Sequence, residues 1–373
     1  RDLCHMGGYG QWVISNSDLW VAHIEAWLSV QWLSLSRSAY ILGRGETNHA
    51  TMIEHVAIVY WCDGAGHAAR AIPVAKELRS RGIEVSIGGG GPGERFVDLN
   101  GFEQPDLTTV TVEGATPRAF LEHTLVDLVP SSVRRWREVT AWLRRKEPDV
   151  LITDDVFAGL AAAGLGIDFY RIDHLTTDLF GAVWGPPLAV YNQVSLQFAE
   201  GIIVTSLWPD DPAPDGTTRV GPLAQEGETS DGIEPYDVLL NPGSHGDHFG
   251  EIRTRLETSG YDVRTVGDDD WETKPTMTPY TAAADVVVCT GFSSIADTVV
   301  AGTPCVIYPF LPFQRALAER AAAKQLTGIS MATTVDRVID RVEEHVNSDV
   351  TPDYDNGAPA FVDTVLAGID DTE

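Results

Sequence analysis

The sequence predicts an α/β protein made of two doubly wound, Rossmann-like parallel-sheet domains facing one another across a cleft. Three observations lead there. From residue 52 onward, short apolar runs alternate with longer segments whose apolar residues recur at helical spacing, the pattern of a parallel sheet covered on both faces. Several of those runs end in a glycine turn that opens a helix, as at Gly64 and Gly66, at 88–91, at Gly243 and at Gly291. The alternation stops over a polar, acidic stretch at 223–234 and then begins again, which marks a linker between two units.

Taken in order, the first unit (52–222) offers strands at 55–61, 84–87, 107–112, 150–153, 167–172 and 201–205, with helices running to about Arg81 and over 134–146. The second unit (235–373) starts with a strand at 237–241, turns at Pro242-Gly243-Ser244-His245-Gly246, and continues as a helix to about Gly260. Strands at 261–266, 285–289 and 305–308 follow, then a helix beginning near Gln314 and a last amphipathic segment at 361–369. Residues 1–51 do not resemble the rest. They hold four acidic and three basic residues and four of the ten tryptophans, and the expectation is translated upstream sequence with the protein proper starting near Met52. The rival reading is a membrane-contact helix at 19–35; its His23, Glu25, Gln31 and serines argue against a span, and no signal peptide is evident.

The chain carries 54 acidic against 26 basic residues, a formal net charge of −28, with the acidic residues scattered and only four lysines. At molar salt the Debye length is about 3 Å, so self-repulsion that would loosen such a chain in dilute buffer is screened. A halophilic archaeon with salty cytoplasm is therefore the expected source, and a cytoplasmic location the expected one, with peripheral contact at the inner face of the membrane left open. The same charge argues against nucleic acid as a partner, for want of a basic stripe. Cys4, Cys62, Cys289 and Cys305 lack Cys-x-x-Cys spacing, which argues against disulfides and structural zinc. Asp268-Asp269-Asp270 matches an Asp-x-Asp metal pattern, but in so acidic a chain solvated surface is the expected reading.

The richest segment is 285–320. An apolar strand ends at Cys289, Gly291 turns the chain, Ser293 and Ser294 open a helix, Asp297 stands one turn further in, and a second strand begins at Cys305. A glycine lets backbone approach closely, and a helix N-terminus offers amide hydrogens to a diphosphate. This unit, with Asp297 five positions before the glycine of Ala301-Gly302-Thr303-Pro304, resembles the donor-nucleotide site of the GT-B glycosyltransferases. The likeness is to family 28, which includes the peptidoglycan N-acetylglucosaminyl transferase and the diglyceride galactosyl transferases. The resemblance implies that Gly291, Ser293 and Ser294 hold the diphosphate and Asp297 the ribose of a UDP-sugar, with Ser244 and His245 as further donor contacts and Gln314 against the sugar. A capping box of Ser294 with Asp297 is the competing local reading.

A strand followed by Gly64-Ala65-Gly66-His67 resembles the family's first glycine loop in shortened form. Glycosyl transfer needs a base for the acceptor hydroxyl, and a histidine at a helix N-terminus is kept neutral and able to accept. His67 is thus the candidate base, with capping or donor contact as its alternative, and Asp154 or Asp155 the candidate orienting carboxylate. The glycine run after the second strand, with Gly89, Gly90 and Arg95, is read as an acceptor-side loop or as a mobile turn. The family usually has Glu at the place of Asp297, and an acid where Phe313 stands. Together these readings imply transfer from a UDP-sugar, as co-substrate and without metal or other cofactor, to a hydroxyl acceptor that is lipid-linked or a surface glycan, with inversion. The alternatives are a non-catalytic nucleotide-sugar-binding subunit and a UDP-sugar 2-epimerase on the same fold.

Overall fold

The computed structural model describes residues 53–110, 127–174, 195–213, 215–225, 232–243, 245–269 and 271–370. Residues 1–52, which include the proposed extension, lie outside them. The first sheet contains β1 (His55–Val59), β2 (Glu84–Gly88), β3 (Val150–Thr153), β4 (Asp168–Asp173), β5 (Gly201–Thr205) and β6 (Thr217–Val220). Its spatial order is β2-β1-β3-β4-β5-β6, with every pairing parallel. The helices of this half are α1 (Ala65–Ser80), α2 (Glu94–Leu99), α3 (Val129–Lys146) and α4 (Val156–Leu165). The second sheet is β7 (Tyr236–Asn241), β8 (Val263–Thr265), β9 (Ala284–Cys289), β10 (Cys305–Ile307) and β11 (Ile329–Met331), in the parallel order β11-β10-β9-β7-β8. Its helices are α5 (Gly250–Thr258), α6 (Thr278–Ala282), α7 (Phe292–Val300), α8 (Pro312–Ala323) and α9 (Val335–Val346). The chain then closes with α10 (Ala358–Asp370).

Strand residues alternate between two cores, which is why the runs read as continuously apolar. Val56 and Ile58 enter one cluster while Ala57 and Val59 enter the cluster on the opposite face. The second sheet divides likewise, with Val286 and Val288 on one side and Val287 and Cys289 on the other. Phe361, Val362 and Val365 of α10 are fully buried in the first sheet's core, and the helix packs on α1. The carboxyl-terminal segment therefore returns to the amino-terminal half.

The sheets differ from the expectation in two ways. The strand expected at 107–112 is absent from the described part: residues 107–110 form no ladder, and 111–112 lie outside the described residues. Leu107 and Val110 are buried as expected of a strand, but the backbone is satisfied by side chains. Val110 N–H donates to Cys62 Sγ at 3.2 Å and Thr108 N–H to Glu138 at 2.7 Å. Among the described residues β2 is left as the edge strand of the sheet. Conversely β6 and β11 went unread, because Thr217-Thr218-Arg219-Val220 is a half-exposed edge and Ile329-Ser330-Met331 is too short to show a period.

The glycine run after β2 is an ordered turn, not a loose one. A Cβ on Gly89 would stand 2.2 Å from the Tyr60 ring, and one on Gly91, where φ is +67°, 2.1 Å from the Cys62 carbonyl oxygen. Tyr60 is locked in place: its hydroxyl donates to Gln104 Oε1 at 2.7 Å and accepts from Gly90 N–H at 3.2 Å. Gly89→Ala should accordingly lower unfolding stability by about 1–3 kcal/mol through overpacking. A denaturant midpoint equal to the parent's would refute that account of the glycine.

Candidate active site

Doubly wound sheets bind ligands outside the carboxyl ends of their strands, where the strand order reverses. In the first sheet that point lies between β1 and β3, and in the second between β7 and β9. The loops leaving these four strands carry most of the residues singled out in the sequence. They also meet: Ser293, in the first turn of α7 after β9, donates its hydroxyl to the Gly66 carbonyl at the start of α1 after β1, at 3.0 Å. A Cβ on Gly66 would lie 3.1 Å from that hydroxyl oxygen, so the close approach depends on glycine.

On the first side stands a compact charged cluster. His67 Nδ1 lies 2.6 Å from Asp154 Oδ2, and the same oxygen accepts from Arg70 Nη2 at 2.8 Å. The other oxygen, Oδ1, accepts the Trp61 backbone N–H at 2.6 Å. A carboxylate only accepts, so Nδ1 carries the proton in this pair, and Arg70 Nη2 lies 2.9 Å from the same ring nitrogen. Burial alone would raise the Asp154 carboxyl, but His67 and Arg70 outweigh it and hold the group below the usual carboxylate range. Asp154 therefore stays ionised and fixes the imidazole tautomer.

Of the two candidate carboxylates only Asp154 serves His67. Asp155 caps α4, its Oδ1 accepting from Phe157 and Ala158 N–H, and its Oδ2 takes Arg135 Nε at 2.6 Å. Both side chains of that pair are 0% exposed. Neighbours in sequence thus separate into one group at the cleft and one in the core, because the chain leaves β3 and immediately starts a helix that needs a cap.

The opposite side is built on α7. The helix begins at Phe292 with Gly291 as its N-cap, φ −114° and ψ 159°, and no side chain caps it. The capping box of Ser294 and Asp297 is thereby overturned, since the helix starts too early for Ser294 to be its cap. Ile295 N–H is the first amide to be bonded within the helix, to the Gly291 carbonyl at 3.1 Å, so the turn presents its leading amides unpaired. The space where a Gly291 side chain would stand is open. Ser293 and Asp297 share a face at i, i+4 spacing, which places Asp297 one turn deeper on the side that touches Gly66. No hydrogen bond or ion pair reaches its carboxyl among the described residues, and burial pushes its pKa up to about 7.

That shift has a stability consequence with a definite sign. The folded state holds the Asp297 proton more tightly than an unfolded chain, whose carboxyl titrates near 3.9, so native stability falls as pH rises from about 4 to 7. Asp297→Asn should match the parent in melting temperature near pH 4 and exceed it at pH 8. Equal differences at both pH values would show the carboxyl to be solvated.

Other expected contacts lie elsewhere in part. Ser244 lies outside the described residues. His245 follows β7 and its ring lies 4.9 Å from that of Phe310, tilted by 32°; burial, then the neighbouring His248, lowers its pKa, and its buried Nε2 has no partner among the described residues. Gln314 is 5% exposed, and its Oε1 accepts the Phe310 and Leu311 N–H groups at 2.9 Å each. The side chain expected against a sugar thus braces the turn before α8 with its oxygen, leaving only its amide nitrogen for a ligand. Gly64 caps the start of α1, while Arg95 is exposed and has no carboxylate partner among the described residues. Asp268 of the acidic triplet pairs with Arg253, and Asp270 is outside the described residues.

Sequence reasoning missed Arg70 and His174. Arg70 is 5% exposed and is revealed by i, i+3 spacing from His67 on α1. His174 follows β4 at the carboxyl end of the sheet, the one local signal that pointed to it. Its ring lies 5.4 Å from Phe292 and 6.5 Å from Phe313, so it bridges to the second half. Burial, then Arg70 and His67, keep it neutral, and its Nδ1 makes no hydrogen bond among the described residues, with Asp173 Oδ1 4.0 Å away.

Among the described residues no helix is long and apolar enough to cross a membrane. No family model matches the chain. An uncharacterized glycosyltransferase of Methanosarcina mazei is 28% identical over 171 residues, which span 42% of this chain and 44% of that protein. A glycosyltransferase of Streptomyces sp. SF2575, solved with thymidine diphosphate, superposes with TM-score 0.58 at 17% identity, covering 84% of this chain and 96% of the other. The UDP-GlcNAc 2-epimerase of Methanocaldococcus jannaschii superposes with TM-score 0.52 at 10% identity, covering 84% and 99%. The chain has an α/β fold of two parallel-sheet halves, and that fold is the one of GT-B glycosyltransferase structures.

Proposed function

We propose that this protein is a glycosyltransferase that moves a sugar from a nucleoside diphosphate sugar, UDP-linked, to an acceptor hydroxyl with inversion at the anomeric carbon. The observation that carries the reading is the opposition of two switch points, with a histidine held by an ionised carboxylate on one and an uncapped helix start on the other. His67 Nε2 takes the proton of the acceptor hydroxyl as its oxygen bonds to the anomeric carbon. The bond from that carbon to the diphosphate breaks in the same displacement, and the departing charge meets the amides of Phe292, Ser293 and Ser294. Asp297 accepts from the ribose hydroxyls, and Ser244, His245 and Gln314 border the donor. Gly64, Gly66, Gly89, Gly90 and Arg95 line the acceptor side, where a lipid-linked or surface glycan acceptor would meet Arg95. No metal is needed if the helix start carries the leaving charge.

The relative in Methanosarcina bears the same activity in its name, and the Streptomyces enzyme holds a nucleoside diphosphate on this fold. An epimerase reading draws on the fold likeness alone. Incubation at molar salt with radiolabelled UDP- and TDP-sugars and a lipid extract separates the outcomes. Labelled product supports transfer; an isomerised donor, or retention of donor without turnover, would overturn it. Asp297→Ala should weaken UDP binding roughly ten- to a hundredfold, the scale of lost hydrogen bonds to a charged group, with a much smaller effect on folding. Equal loss of both would reject the ribose role.

A further inference from the structure

Arg70 is not built as a structural arginine. Arg135, which is, has each arm of its guanidinium tied: Nε to Asp155, Nη1 to the Thr108 carbonyl and Nη2 to the Tyr60 carbonyl. Arg70 is 5% exposed, reaches other described residues through Nη2 alone, and has a buried Nε without a partner among them. An unpaired buried donor is a net cost to folding, so hydrogen bonding does not explain why this charge is buried here.

Its surroundings do. Asp154 Oδ2, Arg70 Nη2 and His67 Nδ1 form a triangle with sides of 2.6, 2.8 and 2.9 Å. Nδ1–H and Nη2–H both donate to Oδ2, and the longest side joins two donors that cannot bond to each other. The other groups around the ring are His174, kept neutral by burial, then by Arg70 and His67, and those of α7 where it packs on α1. That helix brings the Ser293 hydroxyl and, one turn deeper, Asp297, whose carboxyl burial pushes up to about 7. Arg70 is therefore the one permanent cation bonded to the His67–Asp154 pair among the described residues.

The charge count decides what the arginine does. Asp154 is 9% exposed, and a buried carboxylate with no cation beside it would draw a proton onto the imidazole, because an ion pair costs less there than a lone charge. An imidazolium has no lone pair with which to take a proton from an acceptor hydroxyl. With Arg70 in place the carboxylate is already balanced, and the guanidinium charge at 2.9 Å opposes a second ring proton. We propose that Arg70 is a positioning residue for His67: its fixed charge balances Asp154, so that the imidazole keeps a single proton and a free lone pair beside a buried carboxylate. The use of that lone pair on an acceptor rests on the transferase reading, whereas the charge balance does not.

Histidine-selective carbon-13 NMR of the full chain at molar salt, with the His67 signal assigned by its absence from H67Q, reads the charge of the ring directly as pH is varied. In R70M or R70Q the ring should lose its charge about one pH unit or more above the parent, a tenfold or greater gain in proton affinity, the scale set by one neighbouring opposite charge. The acid limb of the pH–rate profile should move with it. R70K should titrate with the parent, and in R70Q/D154N the shift should disappear, because the carboxylate that draws the proton is gone. An arginine that only fills space would cost turnover without moving the titration. R70M and R70Q differ in shape, so the one with native circular dichroism is read; should neither fold, an R70K ring that titrates apart from the parent would overturn the proposal. Equal titration in R70Q and the parent would overturn it too, as would a shift that survives in R70Q/D154N. Because the ring is titrated without turnover, the expected shift in a protein that transfers no sugar would fault the enzymatic reading alone.

Discussion

His67→Ala should lower turnover by about 10²- to 10⁴-fold while leaving nucleotide affinity essentially unchanged. The expectation follows from position. His67 belongs to the first-sheet side of the site, while the proposed diphosphate and ribose contacts belong to α7 on the other side. Asp154→Asn should lose turnover too, because an amide can offer Nδ1 a donor and so permit the wrong tautomer. Single-turnover rates measured beside equilibrium titration with UDP separate chemistry from binding. A His67→Ala protein that turns over like its parent would remove the histidine as base; one that loses UDP affinity in proportion would make it a donor contact.

Arg135→Met should destabilise the fold by about 3–5 kcal/mol, the cost of leaving a buried carboxylate without its partner. Arg135 and Asp155 are both fully buried, and the guanidinium also donates to the carbonyls of Thr108, at 2.9 Å, and Tyr60. One side chain therefore holds together the loop after β1, the irregular segment at 107–110 and the cap of α4. Chemical denaturation of the two single variants and of Arg135→Met with Asp155→Ala gives the coupling. The double variant should lose well less than the sum of the two single losses. Additive losses would mean that the pair carries no special interaction.

How much could be read from the chain depends on the range of the interaction involved. The glycine turn at Gly291, the helix after it and the apolar strand before it are local events, and the structure has them where the residues required. Gln314 shows the limit. Its place in the sequence resembles a sugar contact, yet its oxygen is consumed by two backbone amides of its own turn, a competition that no spacing reveals. Asp154 and Asp155 are adjacent and chemically alike, and only the approach of α1 and α3 from different sides gives one to His67 and the other to Arg135. The segment at 107–110 has the composition of a strand, but two of its backbone amides are taken by the Glu138 and Cys62 side chains.

Alternation of apolar runs with amphipathic helices was enough to specify two parallel sheets, because burial on both faces imposes a pattern on every strand. The charge balance and the glycine turns were equally plain, being properties of single residues and short loops. The meeting of Ser293 with Gly66, the neutral His174 between the halves and the Asp297 carboxyl without a partner among the described residues came only from folding. Each arises where residues far apart in the chain are brought together or kept apart, and a carboxylate's partner is a matter of distance in space, which the order of residues does not encode.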